Sequence, residues 1–213
     1  MRRLYNTPAG GGTSVLLATT NAAKVERLRW LLEGLPLTLL GPDRVIPRPQ
    51  VEESGSTHQA NAALKAQAWS QAAGGLAIAS DGGLVIPVLG SRWDSRETQR
   101  FAGAHADDRR RLERLLELLQ PYRGQARRAL WVEAVAVAQD GGLLSSWQAQ
   151  GGEGLLAESY EPQHVVPGFW VATLWYFPRF GKRYVEMSPE ELAQAADPWA
   201  QLKPLVQAFF RGR

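Results

Sequence analysis

Between Val51 and Leu89 the chain gathers side chains of the kind that hold cations and phosphates: the acids Glu52 and Glu53, the amide of Asn61, the ammonium of Lys65 and the acid Asp81. Asn61 and Lys65 are four residues apart within a run, Gln59 to Ala73, that reads as a helix with Ser56 or Thr57 as N-cap. Both therefore project from one helical face, which can meet a phosphate chain. Asp81 follows the apolar, strand-like run Leu76 to Ser80 and precedes Gly82 and Gly83, which predict a sharp backbone turn at the strand end. Carboxylates on a strand end and a nearby loop suit a hard cation such as magnesium, which takes oxygen ligands and bridges to substrate phosphates. Each piece also has an ordinary reading. Glu52 and Glu53 fit a solvated loop, Asn61 and Lys65 a wet helix face, and Asp81 a turn residue before glycines. Their order and company favour the chemical reading.

Other elements must position these groups. From Ser14 the segment SVLLATTN predicts a short buried strand ending at Thr19, Thr20 and Asn21. Val25, Leu28, Leu31 and Leu32 recur at helical spacing, so a helix follows from about Ala22 to Glu33, with Gly34 as its stop. A strand, a polar turn and a helix N-terminus present free N–H groups and the positive end of a dipole, and Lys24 lies in the first turn, so an anion is stabilised there. A helix cap with a solvated Lys24 is the structural alternative. The pattern GxxxxGK[ST] is absent.

Leu35 to Leu40 reads as a second strand, and Pro42, Pro47 and Pro49 as a loop leading to the acidic pair. LVIPVL after Asp81 is strand-like, with Pro87 at an edge or bulge, and SRWDSRETQRFAG reads as a loop. Leu112, Leu115, Leu116 and Leu119 define a helix over Asp107 to Leu119. The second half predicts a mostly antiparallel sheet from strands at Arg128–Ala138, Leu143–Ala149, Gly154–Tyr160 and Phe169–Phe177, and the chain closes with helices at Pro189–Ala195 and from Pro198 onward.

Composition narrows the function classes. The chain has 213 residues, a net charge of +3 and basic residues scattered among acids, with no basic stripe for a nucleic acid. Without cysteine there are no disulfides, thiol nucleophiles or cysteine zinc sites, which fits a cytoplasmic protein. His58, His105 and His164 have no metal-ligand spacing, and no apolar run approaches the roughly 20 residues of a membrane span. Residues 1–13 read as a flexible tail, and 14–213 as one α/β domain with two lobes around a cleft.

The ordered segments LATTNAAK, VEESGSTHQANAALKA, IASDGGL and RFAG resemble the inosine triphosphate pyrophosphatase family of Ham1-like house-cleaning enzymes, whose pattern runs (A)TxNxxK, EExGxTFxxNAxxKA, DDSGL, SARYxG. RALW and GKRYVEM resemble that family's RAxF strand and GKTFAEM segment. The resemblance implies an elongated two-lobed mixed-sheet α/β fold, a homodimer, and magnesium-dependent cleavage of nucleoside triphosphates to monophosphate and pyrophosphate. It places Thr19, Asn21 and Lys24 on the triphosphate, Asn61 and Lys65 along the phosphate channel, and Gly82, Arg100 and Lys182 also at the substrate. Glu53 and Asp81 become metal-side carboxylates. Asp81, matching the second acid of DDSG, becomes the water-activating base, with Lys65 as its catalytic companion. Such hydrolysis asks for positioning, neutralised charge and an oriented water.

The departures from the pattern bear on specificity. Ser80 stands where the family has the first Asp of DDSG, and Gly82 where it has Ser. This weakens magnesium binding unless Glu52 or Glu53 compensates. GFGYDPIF reads here as Gly168 to Trp175 without its Asp or Tyr, and EEKxxxSHR reads as Glu190-Glu191-Leu192 followed by residues without Lys, Ser, His or Arg at the matching places. A site that has lost its hydrogen-bonding groups cannot strongly prefer a base carrying partners for them. Phe169, Trp170 and Trp175 offer stacking surface or are core. The expected function is thus a nucleotide pyrophosphohydrolase of altered base specificity. The alternative is an impaired member that binds a nucleotide or phosphorylated metabolite without hydrolysing it.

Overall fold

The computed structural model describes residues 12–103 and 105–213, so most of the tail expected at residues 1–13 lies outside the described residues. Thr13 already belongs to the first strand. In chain order the elements are β1 (Thr13–Leu17), α1 (Ala22–Leu32), β2 (Leu37–Leu40), α2 (His58–Ala73), β3 (Leu76–Val85), α3 (Asp108–Leu119), β4 (Arg128–Gln139), β5 (Gly142–Leu156), β6 (Trp175–Phe177), β7 (Lys182–Arg183), α4 (Pro189–Gln194) and α5 (Pro198–Arg211), with short 3-10 turns between them. The strands form one seven-stranded mixed sheet in the order β2-β1-β3-β4-β5-β6-β7. β1 lies parallel to both β2 and β3, as expected where helices link the strands, whereas β5, β6 and β7 pair antiparallel. Asp140 and Gly141 both adopt positive φ and close the β4–β5 hairpin. Among the described residues no helix is long and apolar enough to cross a membrane.

The chain divides into two compact units. The first contains the chain up to Asp81, Glu133–Ala149 and Gln201–Arg213. Its core is built largely from alanine: Ala62, Ala66, Trp69 and Ala73 on α2 pack with Leu16 and Ala18, Ala77 and Ala79 on β3, and Ala134, Ala136 and Ala138 on β4. Alternation along β3 turns Ala77 and Ala79 to the same face, and helical spacing aligns the α2 residues into one stripe. Small side chains on both surfaces bring the helix axis close to the strand. Gly74, at φ 72°, ends α2, and its N–H and that of Gly75 donate to the Ser70 carbonyl. The chain then doubles back into β3, so the first turn of α2 lies beside Asp81, midway along that strand.

The second unit, Gly82–Val132 and Gln150–Ala200, has an aromatic core. Trp175 stacks on Tyr184 (5.4 Å, 11°) and Trp170 on Phe101 (5.7 Å, 21°). Both tryptophans are at most 1% exposed, which resolves the open alternative for them in favour of core.

Several expected boundaries are corrected. β3 does not stop before Asp81 but runs on through Gly82 and Gly83 to Val85. A Cβ at Gly83 would overlap the Ser95 carbonyl oxygen, so that glycine serves close packing rather than a turn. The strands expected at Leu143–Ala149 and Gly154–Tyr160 are one strand, β5, because Gly152 and Gly154 make room for the Trp175 ring instead of breaking the chain. The strand expected over Phe169–Phe177 survives only as β6. Trp170–Thr173 forms a 3-10 turn, as does Pro87–Arg92, where LVIPVL was expected to remain extended.

Candidate functional site

Asp81 is the next α2-facing position of β3 after Ala77 and Ala79, and its carboxylate is buried, 7% exposed. One oxygen, Oδ1, accepts from Lys65 Nζ at 2.7 Å, and the other, Oδ2, lies 2.6 Å from His58 Nδ1. Lys65 Nζ also reaches Glu53 Oε1 at 2.8 Å. One ammonium therefore sits between two acids that are 28 residues apart in the chain, and a histidine takes the remaining oxygen of one of them.

The loop carrying Glu53 is tied to α2. Thr57 caps the helix by accepting from Ala60 N–H, and the Asn61 side-chain oxygen accepts from Gly55 N–H at 2.8 Å. A Cβ at Gly55 would lie 2.6 Å from that oxygen and 2.8 Å from Ala60 Cβ, so only glycine lets the loop fold this closely. Asn61 is 1% exposed and acts here as the anchor of the Glu53 loop. Glu52, its acidic neighbour, is exposed.

At the end of β1, Thr19 Oγ1 accepts from Asn21 N–H, and Asn21 caps α1 by accepting from Lys24 N–H. Lys24 acts on Asp81 through its charge. The first unit thus holds Thr19, Asn21, Lys24, Glu53, Asn61, Lys65 and Asp81, with Glu53, Lys65 and Asp81 in direct contact and Lys24 within electrostatic reach. Gly82, Arg100 and Lys182 belong to the second unit. There Gly82 is within β3, Arg100 is exposed and pairs with Glu97, and Lys182 pairs with Glu191 at 2.6 Å.

His58 is the functional candidate that residue spacing did not single out. Its sequence signal is helical: it lies four residues before Ala62 and so extends the buried Ala62, Ala66, Trp69 and Ala73 stripe by one turn. It also stands where the motif EExGxTFxxNAxxKA has Phe. A polar ring on a buried stripe needs a partner. Asp81 supplies one.

The electrostatics follow from these contacts. Burial works to raise the Asp81 pKa, but the hydrogen bond from His58 and the charges of Lys65 and Lys24 outweigh it and hold the carboxyl at about 2. Burial likewise disfavours the Lys65 ammonium, yet Asp81 and Glu53 raise its pKa overall. Because the folded pKa of Asp81 lies below its unfolded value of 3.8, its contribution is fully present above about pH 4 and lost as the pH falls through about 2. A difference of nearly two pH units corresponds to about 2 kcal/mol. Urea unfolding at pH 5 and at pH 2.5 should show a larger acid loss of stability for the wild type than for Asp81→Asn; equal losses would contradict the depressed pKa.

Lys65 also probes the site's fitness for a metal. Among the described residues no group of three or more His, Cys, Asp or Glu side chains is arranged to hold an ion. Two carboxylates nevertheless come close enough together to share one cation, the Lys65 ammonium. Magnesium is commonly held by one or two carboxylates with substrate phosphates and water completing its shell, so this donor set fits it.

Comparison with known proteins shows which family the chain is part of. A dITP/XTP pyrophosphatase of Thermus thermophilus is 33% identical, with 94% of each chain aligned. One of an Anaeromyxobacter species is 30% identical over 92% of this chain and 98% of its own. The structure of a HAM1 protein from Coxiella burnetii superposes with a TM-score of 0.75 at 26% identity, over 92% of this chain and 99% of that one. The Staphylococcus aureus Ham1 protein gives a TM-score of 0.72 at 26% identity, over 94% and 99%. The family model for the Ham1 family matches residues 15–195, a span that takes in the end of β1, the Glu53 loop, α2 and Asp81, and the chain belongs to that family.

Proposed function

We propose that this chain is a magnesium-dependent nucleoside triphosphate pyrophosphohydrolase with relaxed base selectivity, releasing monophosphate and pyrophosphate. The observation that carries it is the Glu53–Lys65–Asp81 array with Lys24 beside it, in a chain whose full-length relatives are named dITP/XTP pyrophosphatases. Thr19, Asn21 and Lys24 surround the N-terminus of α1 and receive the phosphate tail, where N–H groups and the helix dipole favour negative charge. Lys65 holds the two carboxylates together in the free protein and gives its charge to the phosphates when they arrive. Asp81, ionised at neutral pH, orients a water toward the α-phosphorus and takes its proton. The new oxygen–phosphorus bond forms as the bridge to the β-phosphate breaks, and pyrophosphate leaves. Glu53 and Asp81 would hold magnesium, which would supply positive charge against the phosphate oxygens. The family resemblance also assigns Gly82, Arg100 and Lys182 to substrate. The family resemblance further supports a homodimer, and the absence of cysteine fits the cytoplasm.

Relaxed selectivity is supported by the segment that matches GFGYDPIF. Trp170 through Trp175 are all at most 1% exposed, so their side chains, the polar atoms of Trp170, Thr173 and Trp175 included, are turned into the core and away from a base. A second reading, binding without turnover, is favoured by one observation. Ser80 has a hydroxyl where the motif has a carboxylate, and that buried oxygen has no hydrogen-bond partner. Pyrophosphate release measured with magnesium over dITP, XTP and the common nucleoside triphosphates decides between them. Turnover of several nucleotides with kcat/KM values within about tenfold is expected, since a pocket that does not hydrogen-bond its ligand discriminates weakly. A strong preference for dITP and XTP alone would refute relaxed selectivity, and binding with no release from any nucleotide would establish the second reading.

A further inference from the structure

The free protein commits Asp81 twice, and the two commitments differ in kind. Lys65 reaches Oδ1 on a flexible four-carbon stem and divides its ammonium between Asp81 and Glu53. It is also the group that an incoming polyphosphate would draw away. His58 reaches Oδ2 from a short ring fixed in the first turn of α2. The ring is 5% exposed and lies on the stripe that packs Ala62 and Ala66 against β3. A donor on a helix and an acceptor on a strand, locked together by an alanine interface, define a carboxylate orientation that survives the departure of Lys65.

The direction of this hydrogen bond follows from the chemistry of the pair. An ionised carboxylate has no proton to give, so the 2.6 Å contact requires the hydrogen to reside on His58 Nδ1. The imidazole is then the donor, Oδ2 is occupied, and Oδ1 is the oxygen left for water or a cation when Lys65 turns to substrate.

We infer that His58 is a positioning residue of the reaction: its Nδ1–H fixes the Asp81 carboxylate by Oδ2 so that Oδ1 alone faces the reacting water. This rests on the pyrophosphohydrolase reading. It assigns to this chain a group for which the family motif, with Phe at that place, has no counterpart.

Steady-state kinetics of three variants test it. His58→Phe keeps a ring but has no N–H, His58→Asn puts an amide N–H near the position of Nδ1, and His58→Gln carries it one carbon too far. Outer-shell partners that orient a reacting carboxylate are typically worth about 10- to 100-fold, so His58→Phe should lower kcat by that factor with KM changed by less than about threefold. His58→Asn should return kcat to within about threefold of wild type, and His58→Gln should not. In the Asp81→Asn background His58→Phe should cost nothing further, because a residue acting through another has no effect once that other is gone. Should His58→Phe fail to fold, the Asn and Gln pair alone carries the comparison. Wild-type kcat in His58→Phe, a loss confined to KM, or equal rates for Asn and Gln would each overturn the inference. A readout independent of turnover is the downfield imidazole N–H proton of the free protein in NMR, expected in wild type, absent from His58→Phe and shifted in Asp81→Asn. Its absence from wild type overturns the hydrogen bond itself. Its presence in a protein that hydrolyses no nucleotide shows instead that the pyrophosphohydrolase reading, and with it the catalytic assignment, has failed.

Discussion

Asp81→Asn is expected to slow pyrophosphate release by about a thousandfold, within the range typical of removing a positioned proton acceptor, while triphosphate binding changes far less. The replacement is almost isosteric, so the loss reads out chemistry and not shape. An amide has one acceptor oxygen and a donor NH2, whereas both sites around Asp81 present donors, His58 Nδ1 on one side and Lys65 Nζ on the other. With the amide oxygen turned to Lys65, the NH2 faces His58 Nδ1, which can accept from it only by carrying its proton on Nε2 instead. The substitution removes the charge that oriented water and lowers stability by about 1–3 kcal/mol, because the bonds from His58 and Lys65 lose their ionised acceptor. Equilibrium binding of a non-hydrolysable triphosphate together with a urea midpoint separates the two effects. An Asp81→Asn protein that still releases pyrophosphate at more than about a tenth of the wild-type rate would remove Asp81 from the reaction, since a general base of this kind contributes at least about a hundredfold.

The location of this site was legible in the sequence because its positioning elements are strongly periodic. The α2 stripe, the Thr57 cap and the four-residue spacing of Asn61 and Lys65 are local properties of one helix, and they follow from about 3.6 residues per turn. What the residues do to one another was less legible. Asn61 shares a helical region with Lys65 but spends its side-chain oxygen on Gly55 N–H, a contact set by how tightly the preceding loop folds back. The Gly82–Gly83 pair misleads for a related reason. Glycine in a sequence signals freedom of φ or absence of a side chain, and only the approach of the Ser95 carbonyl shows that the second is what β3 requires at Gly83. The same ambiguity divides β5, on sequence alone, at glycines that admit Trp175. His58 escapes notice because no single-residue pattern distinguishes a histidine that fills a stripe from one that holds a carboxylate. The distinction arises only when Asp81, midway along β3, is brought to the first turn of α2.

Lys65→Met is expected to be the more damaging substitution for the folded state. The side chain is 16% exposed, and its ammonium is shared by Glu53, 21% exposed, and Asp81, 7% exposed. Methionine matches the stem and so leaves little void, but it leaves two facing acids without the cation between them. Breaking a buried ion pair from one side costs about 3–5 kcal/mol; partial exposure of Glu53 and the remaining His58 bond to Asp81 reduce this to about 2–3 kcal/mol. Glu53→Gln should cost less, because Lys65 keeps Asp81 and no like charges are left facing each other. The order of urea midpoints at pH 7 should therefore be wild type, then Glu53→Gln, then Lys65→Met. Lowering the pH toward 4 should narrow the gap between Lys65→Met and wild type, since Asp81 without Lys65 takes up a proton at a higher pH than it does at its present value of about 2, and protonation relieves the repulsion with Glu53. Added magnesium should narrow the same gap at pH 7 by occupying the place the ammonium left. A Lys65→Met protein with the wild-type midpoint would mean that the two carboxylates are not held together by this residue. A gap untouched by both acid and magnesium would mean that repulsion between Glu53 and Asp81 is not its source.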